Sequence, residues 1–436
     1  MAAGAAPRGV LLISVDGLRP DYITRADQHG LKIPQLRALL KEGVHATRVR
    51  GVLPTVTYSS HTTLVTGVSP AKHGIPTNRP FDPEGLRTGV WYWYANEIKV
   101  PTLWQAAAQA GYVTGSVSWP VTVGADSIRY NLPEYARTRD DDDLKMIRGL
   151  STPGLFAELE TKLGAYSNDV NHAIPRDWVR TRWAAELMRA KKVRFMTVHL
   201  ASTDHEQHGS GPFSPSALEA IEEVDKMIGV LREAILSVDA RAAVCIVSDH
   251  GFSKVDHVLK LNAAFVKEGL ITLKSRKDTL QSSGVASWIA MPWESGGSAA
   301  VVLKDRRDEA TRAHVARFLG DLASNPANGI GRILERKEIE SLGGAPLADF
   351  WIDMRAGFAF NSSLSEPLVA EVSVRGTHGY APDSADMGSL FLAAGSGIRK
   401  GVSVGEIDMR SIAPTVAKLL GTRVSAAEGA PLDIEQ

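Results

Sequence analysis

Short apolar runs recur along the chain at Val10–Val15, Val193–Leu200, Ala243–Ser248 and Leu390–Ala394. Each has the length of a strand, and near-continuous hydrophobicity suits strands buried on both faces of a parallel sheet. Helical patterns lie between the runs. Ser214-Pro215 offers an N-cap with proline in the first turn, and Leu218, Ile221, Val224, Ile228, Leu231 and Ile235 then fall three or four residues apart. Ile412–Leu420 reads as a late helix closed by Gly421. Buried strands alternating with amphipathic helices predict an α/β fold, a mostly parallel central sheet sandwiched by helices.

From about 256 to 372 this alternation stops. Gly-Gly pairs, the turn-rich Met291–Gly297 stretch and a charged helix near Lys304–Leu322 take its place. The expected organisation is a core of 1–255 and 373–436 carrying a smaller inserted α+β subdomain at 256–372. The length of 436 residues fits this, because a single core usually stops growing at about 250–300.

Composition narrows the chemistry. Hydrophobic and charged contents of 44% and 22% are those of an ordinary globular protein, and 49 acidic residues balance 49 basic ones. No global charge favours a nucleic acid polymer or an anionic membrane. No run approaches the roughly 20 apolar residues of a membrane span. The one cysteine, Cys245, sits in an apolar run, so any metal must be held by imidazoles and carboxylates. The first residues lack the apolar stretch of a signal peptide, which fits either a cytoplasmic start or a trimmed precursor.

In α/β sheets ligands bind outside the carboxyl ends of the strands. Asp16 follows the first run, Ser202-Thr203-Asp204-His205-Glu206-Gln207-His208 the second, and Asp249-His250 the third. Asp204 and His208, four apart, share a helix face. His378 lies between glycines in Gly376-Thr377-His378-Gly379, a loop able to turn closely around a ligand. Taken singly, each is commonly a cap or a structural residue. Together they make a nitrogen-and-oxygen donor set suited to zinc, with His205 and His257 as competing candidates. The acidic run Asp140–Asp143 reads first as a solvated loop or helix start, and second as a cation site. The hydroxyl-rich stretch Leu53–Gly67 runs into a helix, whose start favours an anion. It offers a threonine nucleophile without saying which one.

These residues resemble the nucleotide pyrophosphatase/phosphodiesterase family of the alkaline phosphatase superfamily. The resemblance rests on Ser14–Pro20, Leu53–Gly67, Lys72–Asn78, Asp204 with His208, Ser248–Gly251 and Gly376–Tyr380, in that order. It implies an alkaline phosphatase-like fold and two zinc ions, one among Asp16, Thr57, Asp249 and His250, the other held by Asp204, His208 and His378. It implies that Thr57 is the nucleophile, that Asn78 donates to a phosphoryl oxygen, and that Tyr58 packs on the substrate. The sequence departs from the common pattern at Ser59-Ser60, where Pro-Asn is frequent, and at Trp119-Pro120-Val121-Thr122, where Trp-Pro-Gly-Ser is typical.

The implied activity is hydrolysis of a small phosphate diester through a covalent phosphothreonine, with Asn78 and the Tyr58 amide stabilising charged oxygens. A phosphomonoesterase is the alternative. It needs cationic groups for a dianion, and Arg19 or Arg79 are available, whereas Tyr58, Trp91, Trp93 and Trp119 suit the more apolar pocket of a diesterase. Formylglycine chemistry needs a cysteine in a setting that Cys245 lacks. A non-catalytic binding protein on this fold would require a missing ligand or nucleophile. The family's usual location is periplasmic or secreted, which requires a trimmed signal; otherwise the chain is cytoplasmic.

Overall fold

The computed structural model describes residues 8–436 apart from 88, 136–140, 167–171, 275–283 and 365. The four apolar runs form strands Val10–Val15, Phe195–Leu200, Ala243–Val247 and Phe391–Gly395 of one eight-stranded sheet. Across it the order is Val402–Ser403, Gly43–His45, Phe391–Gly395, Ala243–Val247, Val10–Val15, Phe195–Leu200, Thr114–Val117 and Tyr130–Leu132. Only Phe391–Gly395 runs antiparallel to its neighbours, so the sheet is mostly parallel.

Alternation of side chains along each strand splits the core in two. Leu11, Ile13, Val15, Val198 and Ile246 pack toward helices Ala173–Lys191 and Pro215–Val238. Val10, Leu12, Phe195, Cys245 and Val247 pack toward Thr57–Thr66, Leu103–Gln109 and Ile412–Leu419. Helix Pro215–Val238 starts as its sequence predicts, with Ser214 accepting from the Ala217 amide at 3.4 Å. Its predicted face is buried from Ile221 to Ile235, while Leu218 at the rim is only partly covered.

Between Ala243–Val247 and Phe391–Gly395 the chain builds sheets apart from the central one. Strands Gly357–Phe360, Ser253–Leu259 and Val369–Thr377 form a three-stranded sheet. Strands Ala290–Glu294, Ser298–Leu303, Phe350–Met354 and Ile330–Glu335 form a four-stranded antiparallel sheet in that order. Helix Glu309–Ser324, capped by Asp308, places Val315 and Leu319 in a core with Phe265, Val301 and Ile352. Of the acidic run, residue 140 lies outside the described residues, and helix Asp141–Leu150 begins within the run. Among the described residues no helix is long and apolar enough to cross a membrane.

The turn off the first strand is set by Gly17, at φ +69°, where a Cβ would meet the Phe252 ring at 2.8 Å. The left-handed conformation costs a non-glycine residue about 1–2 kcal/mol even without the clash. Gly17→Ala is therefore expected to lower the melting temperature by several degrees and to weaken metal uptake, because Asp16 is its neighbour. An unchanged melting temperature would contradict this reading of the turn.

Candidate metal centre and ester site

Parallel register brings the strand ends together. Ser14 aligns with His199 on one side and Val247 on the other, so Asp16, the start of helix Ser202–Ser210, and Asp249 emerge at one edge. Side chains then lock these elements. Thr203 Oγ1 donates to the Asp16 carbonyl at 2.5 Å, Gln207 Nε2 to the Gly17 carbonyl at 3.1 Å, and the Gly17 amide to Asp249 Oδ1 at 3.1 Å. The buried N-terminus of helix Ser202–Ser210 is held by Asp177, whose Oδ2 accepts from the Ser202 amide at 2.7 Å.

Two groups of ligating atoms result, Asp204/His208/His378 and Asp16/Asp204/His250, each with its atoms within 4.8 Å of one another. His208 Nε2 and His378 Nε2 lie 3.4 and 3.6 Å from Asp204 Oδ1. His250 Nε2 lies 3.3 Å from Asp16 Oδ1 and 3.1 Å from Asp249 Oδ2. Thr57, the first residue of helix Thr57–Thr66, places Oγ1 3.5 Å from the same His250 nitrogen. His205 and His257 belong to neither group, and His257 instead faces Asp256 at 2.7 Å.

Three features make this donor set fit for divalent cations. Asp16 Oδ1, Asp204 Oδ1 and Asp249 Oδ2 are buried without a hydrogen-bond partner. Such atoms are costly unless a cation meets them. The Nδ1 atoms of His208, His250 and His378 lie 3.1, 3.0 and 3.1 Å from the carbonyls of Gly376, Gly251 and Thr55. This turns each Nε2 lone pair toward the cluster, the usual outer-shell arrangement of metal-binding histidines. The electrostatics agree. Burial holds His250 down at about 4 and His378 at about 3, so both are neutral donors at pH 7. Burial and the Asp249 charge raise Asp16 well above its usual range, whereas at Asp204 the neighbouring His208 imidazole outweighs burial and lowers it.

His378 does not come from the central sheet. It follows strand Val369–Thr377, paired with Ser253–Leu259 directly after Asp249 and His250. Its ring stacks on His250 at 3.6 Å. Gly379 is required by packing rather than by a ligand, since at φ +88° a Cβ would sit 1.6 Å from the Ser295 carbonyl oxygen.

A cleft of about 660 Å³ opens onto the cluster, with Asn78, His208 and His378 at its floor and Phe81, Trp91, Met291 and Trp293 among its walls. The Tyr58 amide is not available to a ligand, because it donates to Asn78 Oδ1 at 2.8 Å. The same bond fixes which way the Asn78 amide faces, leaving its NH₂ as the free donor. The Tyr58 ring itself is buried in the core and meets Trp91 at 5.1 Å, so Trp91 is the ring that borders the cleft. Trp93 and Trp119 are core residues. Arg19 is engaged by Asp21, Asp386 and the Phe252 carbonyl, and Arg79 lines the cleft over the Trp91 ring. No local pattern marks Glu294, which lines the cleft with Oε1 enclosed and unpartnered and is pushed up by burial to about 8.

An open α/β sheet delivering a carboxylate-imidazole cluster to its carboxyl edge, beside a hydroxyl at a helix start, defines an alkaline phosphatase-like protein. Residues 10–381 match the family Type I phosphodiesterase / nucleotide pyrophosphatase, and the chain belongs to that family. It is 28% identical over 263 residues to human ectonucleotide pyrophosphatase/phosphodiesterase family member 1, covering 58% of this chain and 24% of that protein. It is 25% identical over 434 residues to human family member 7, covering 96% of this chain and 81% of that one. The chain spans about a quarter to half the length of two of the curated relatives it matches. The murine ectonucleotide pyrophosphatase / phosphodiesterase 5 structure shares the fold, with a TM-score of 0.67 at 22% identity over 97% of this chain and 98% of that one. An inactive threonine-to-alanine variant of that murine protein has been solved in complex with AMP.

Buried histidines make stability depend on pH. The free imidazole titrates near 6.5, but burial holds His61, His73 and His378 at about 3 and His250 at about 4. Between these values the unfolded chain binds more protons, so stability is lost as pH falls. Asp16, Glu294 and Asp353, raised when folded, work in the opposite sense and blunt the fall, while Asp204, lowered, adds to it. The melting temperature of metal-free protein is expected to fall steadily from about pH 6.5 toward 4. A scan that stays flat over that window would contradict the buried-neutral assignment.

Proposed function

We propose that the protein hydrolyses small phosphate diesters, with Thr57 as the nucleophile and two zinc ions as cofactors. The observation that carries this reading is the convergence of Thr57 Oγ1, His250 and both carboxylate-imidazole groups in one cluster, whose His208 and His378 line the adjoining cleft. Asp16, Asp249 and His250 would hold one ion beside Thr57, and Asp204, His208 and His378 the other. When bound, the ions supply the positive charge that lowers the pKa of a hydroxyl or water and offsets charge on the departing oxygen.

The chain's own groups perform the rest. The Thr57 oxygen attacks phosphorus as the P–O bond to the leaving alcohol breaks, giving a phosphothreonine. Water then attacks the same phosphorus, releasing the monoester and restoring Thr57. The Asn78 NH₂, fixed by the Tyr58 amide, donates to a phosphoryl oxygen. Phe81, Trp91 and Trp293 shelter the organic group of the ester. The AMP complex of the threonine-to-alanine murine relative supports both the nucleophile and a nucleotide-sized organic group. A diester is favoured over a monoester because Arg19 is taken up by carboxylates, Arg79 lies over the Trp91 ring, and the cleft walls are rich in aromatic side chains. We read residues 256–372 as an inserted unit that supplies this wall, since Met291, Trp293 and Glu294 lie within it.

Zinc-loaded protein is expected to turn over bis-p-nitrophenyl phosphate faster than p-nitrophenyl phosphate, compared as kcat/KM. A monoester preference would sink the diesterase reading. Thr57→Ala should reduce turnover at least about 10³-fold with zinc content unchanged. Asn78→Ala should cost about 10²-fold, mostly in kcat, as expected for a donor that acts on developing charge. Full activity in Thr57→Ala would show the nucleophile to be elsewhere.

A further inference from the structure

His199 is the next-to-last residue of the predicted run Val193–Leu200, yet it is neither a candidate ligand nor a core hydrophobe. It pairs in register with Ser14 and is 1% exposed. Its Nε2 lies 2.9 Å from Asp16 Oδ2, leaving Oδ1 as the unpartnered oxygen that faces His250. Its Nδ1 lies 3.1 Å from the Ser118 carbonyl oxygen.

The surroundings of this ring are costly to build. Ser118 and Val121 hold φ of 58° and 59°, in the left-handed region. That conformation is uncommon for any non-glycine residue and an outlier for a β-branched one. Val121 stands where Trp-Pro-Gly-Ser has glycine, so this chain makes the turn without the residue that would ease it. The turn aims the Ser118 carbonyl at His199. It also sets Trp119 edge-on to His61 at 4.9 Å, and His61 in turn lies 4.4 Å from the His199 ring. His199 therefore cannot swing away from Asp16.

A carboxylate is free to turn about its last torsion, which is broad and roughly two-fold. The backbone of Asp16 is already fixed, its amide donating to the Leu200 carbonyl at 2.9 Å and its carbonyl accepting from Thr203. Only the rotation of its carboxylate remains open. We propose that His199 is the positioning residue that closes it: by donating to Oδ2 it presents Oδ1 alone to the cluster as a one-oxygen ligand. The inference rests on the metal-binding reading of the same site. It concerns affinity for one of the two ions, since His199 reaches none of Asp204, His208 and His378.

The test is zinc titration of the demetallated full-length chain against a chromophoric chelator, read as two separate affinities. Wild type should take up two equivalents. His199→Phe, which keeps a ring and loses the donor, should bind one equivalent about 10–100-fold more weakly and leave the other unchanged. His199→Gln, whose amide can still donate, should recover most of the loss. Unchanged affinities in His199→Phe would overturn the proposal. So would equal weakening at both sites with no recovery in His199→Gln, which is the mark of general damage. If His199→Phe does not fold, His199→Met against His199→Gln carries the same comparison, and equal affinities would overturn it. A wild type that binds no zinc would instead overturn the metal reading beneath it.

Discussion

Crowding of like charge is the constraint on which the rest of this structure depends. Asp16, Asp204 and Asp249 bring buried oxygens without hydrogen-bond partners to one edge of the sheet. Negative charges packed this way repel one another and lack solvation, a combination that persists only when positive charge is supplied. His250 and His378 do not supply it, because burial keeps them neutral. They act as donors, and the cluster as a whole asks for cations.

Much of the surrounding architecture holds that cluster against its own repulsion. The parallel register fixes where the strand ends lie. Thr203, Gln207 and Tyr22 then tie helix Ser202–Ser210 to the segment after Asp16, and Asp177 ties its start to helix Ala173–Lys191, through buried hydrogen bonds. The Tyr58 amide is spent on orienting Asn78, and backbone carbonyls are spent on orienting three imidazoles. Preorganisation of this kind is what electrostatic catalysis requires, since groups already aimed need no reorganisation at the moment of reaction.

The cleft shows a division of labour between the two kinds of sheet. The central sheet brings Asp16, Asp204, Asp249 and His250, all from its carboxyl edge. The mixed three-stranded sheet brings His378, and the antiparallel four-stranded sheet brings the wall with Met291, Trp293 and Glu294. The metal cluster thus draws on both layers through His378, while the outer one adds Met291, Trp293 and Glu294 to substrate fit. The carboxyl of Glu294, raised by burial to about 8, belongs to the outer layer.

The sequence by itself determined four of the central strands, the buried face of helix Pro215–Val238 and the Asp and His residues that gather at the sheet edge. Those signals are local: a run buried on both faces must be apolar throughout, and a strand end is where Asp16 or Asp249 can leave the sheet. Asp204 and His208 were legible for the same reason, being one helical turn apart. Thr57 and Asn78 were legible only through resemblance, since several hydroxyls in Leu53–Gly67 have equal standing on composition. What tertiary structure alone decided are the pairings across long stretches of chain. His199 against Asp16, Asn78 against the Tyr58 amide, and Tyr58 in the core rather than on the cleft depend on register and backbone direction, which no local pattern encodes. Glu294 falls in this group too, because an acidic residue in a turn-rich stretch becomes unusual only when folding encloses its carboxyl beside the site.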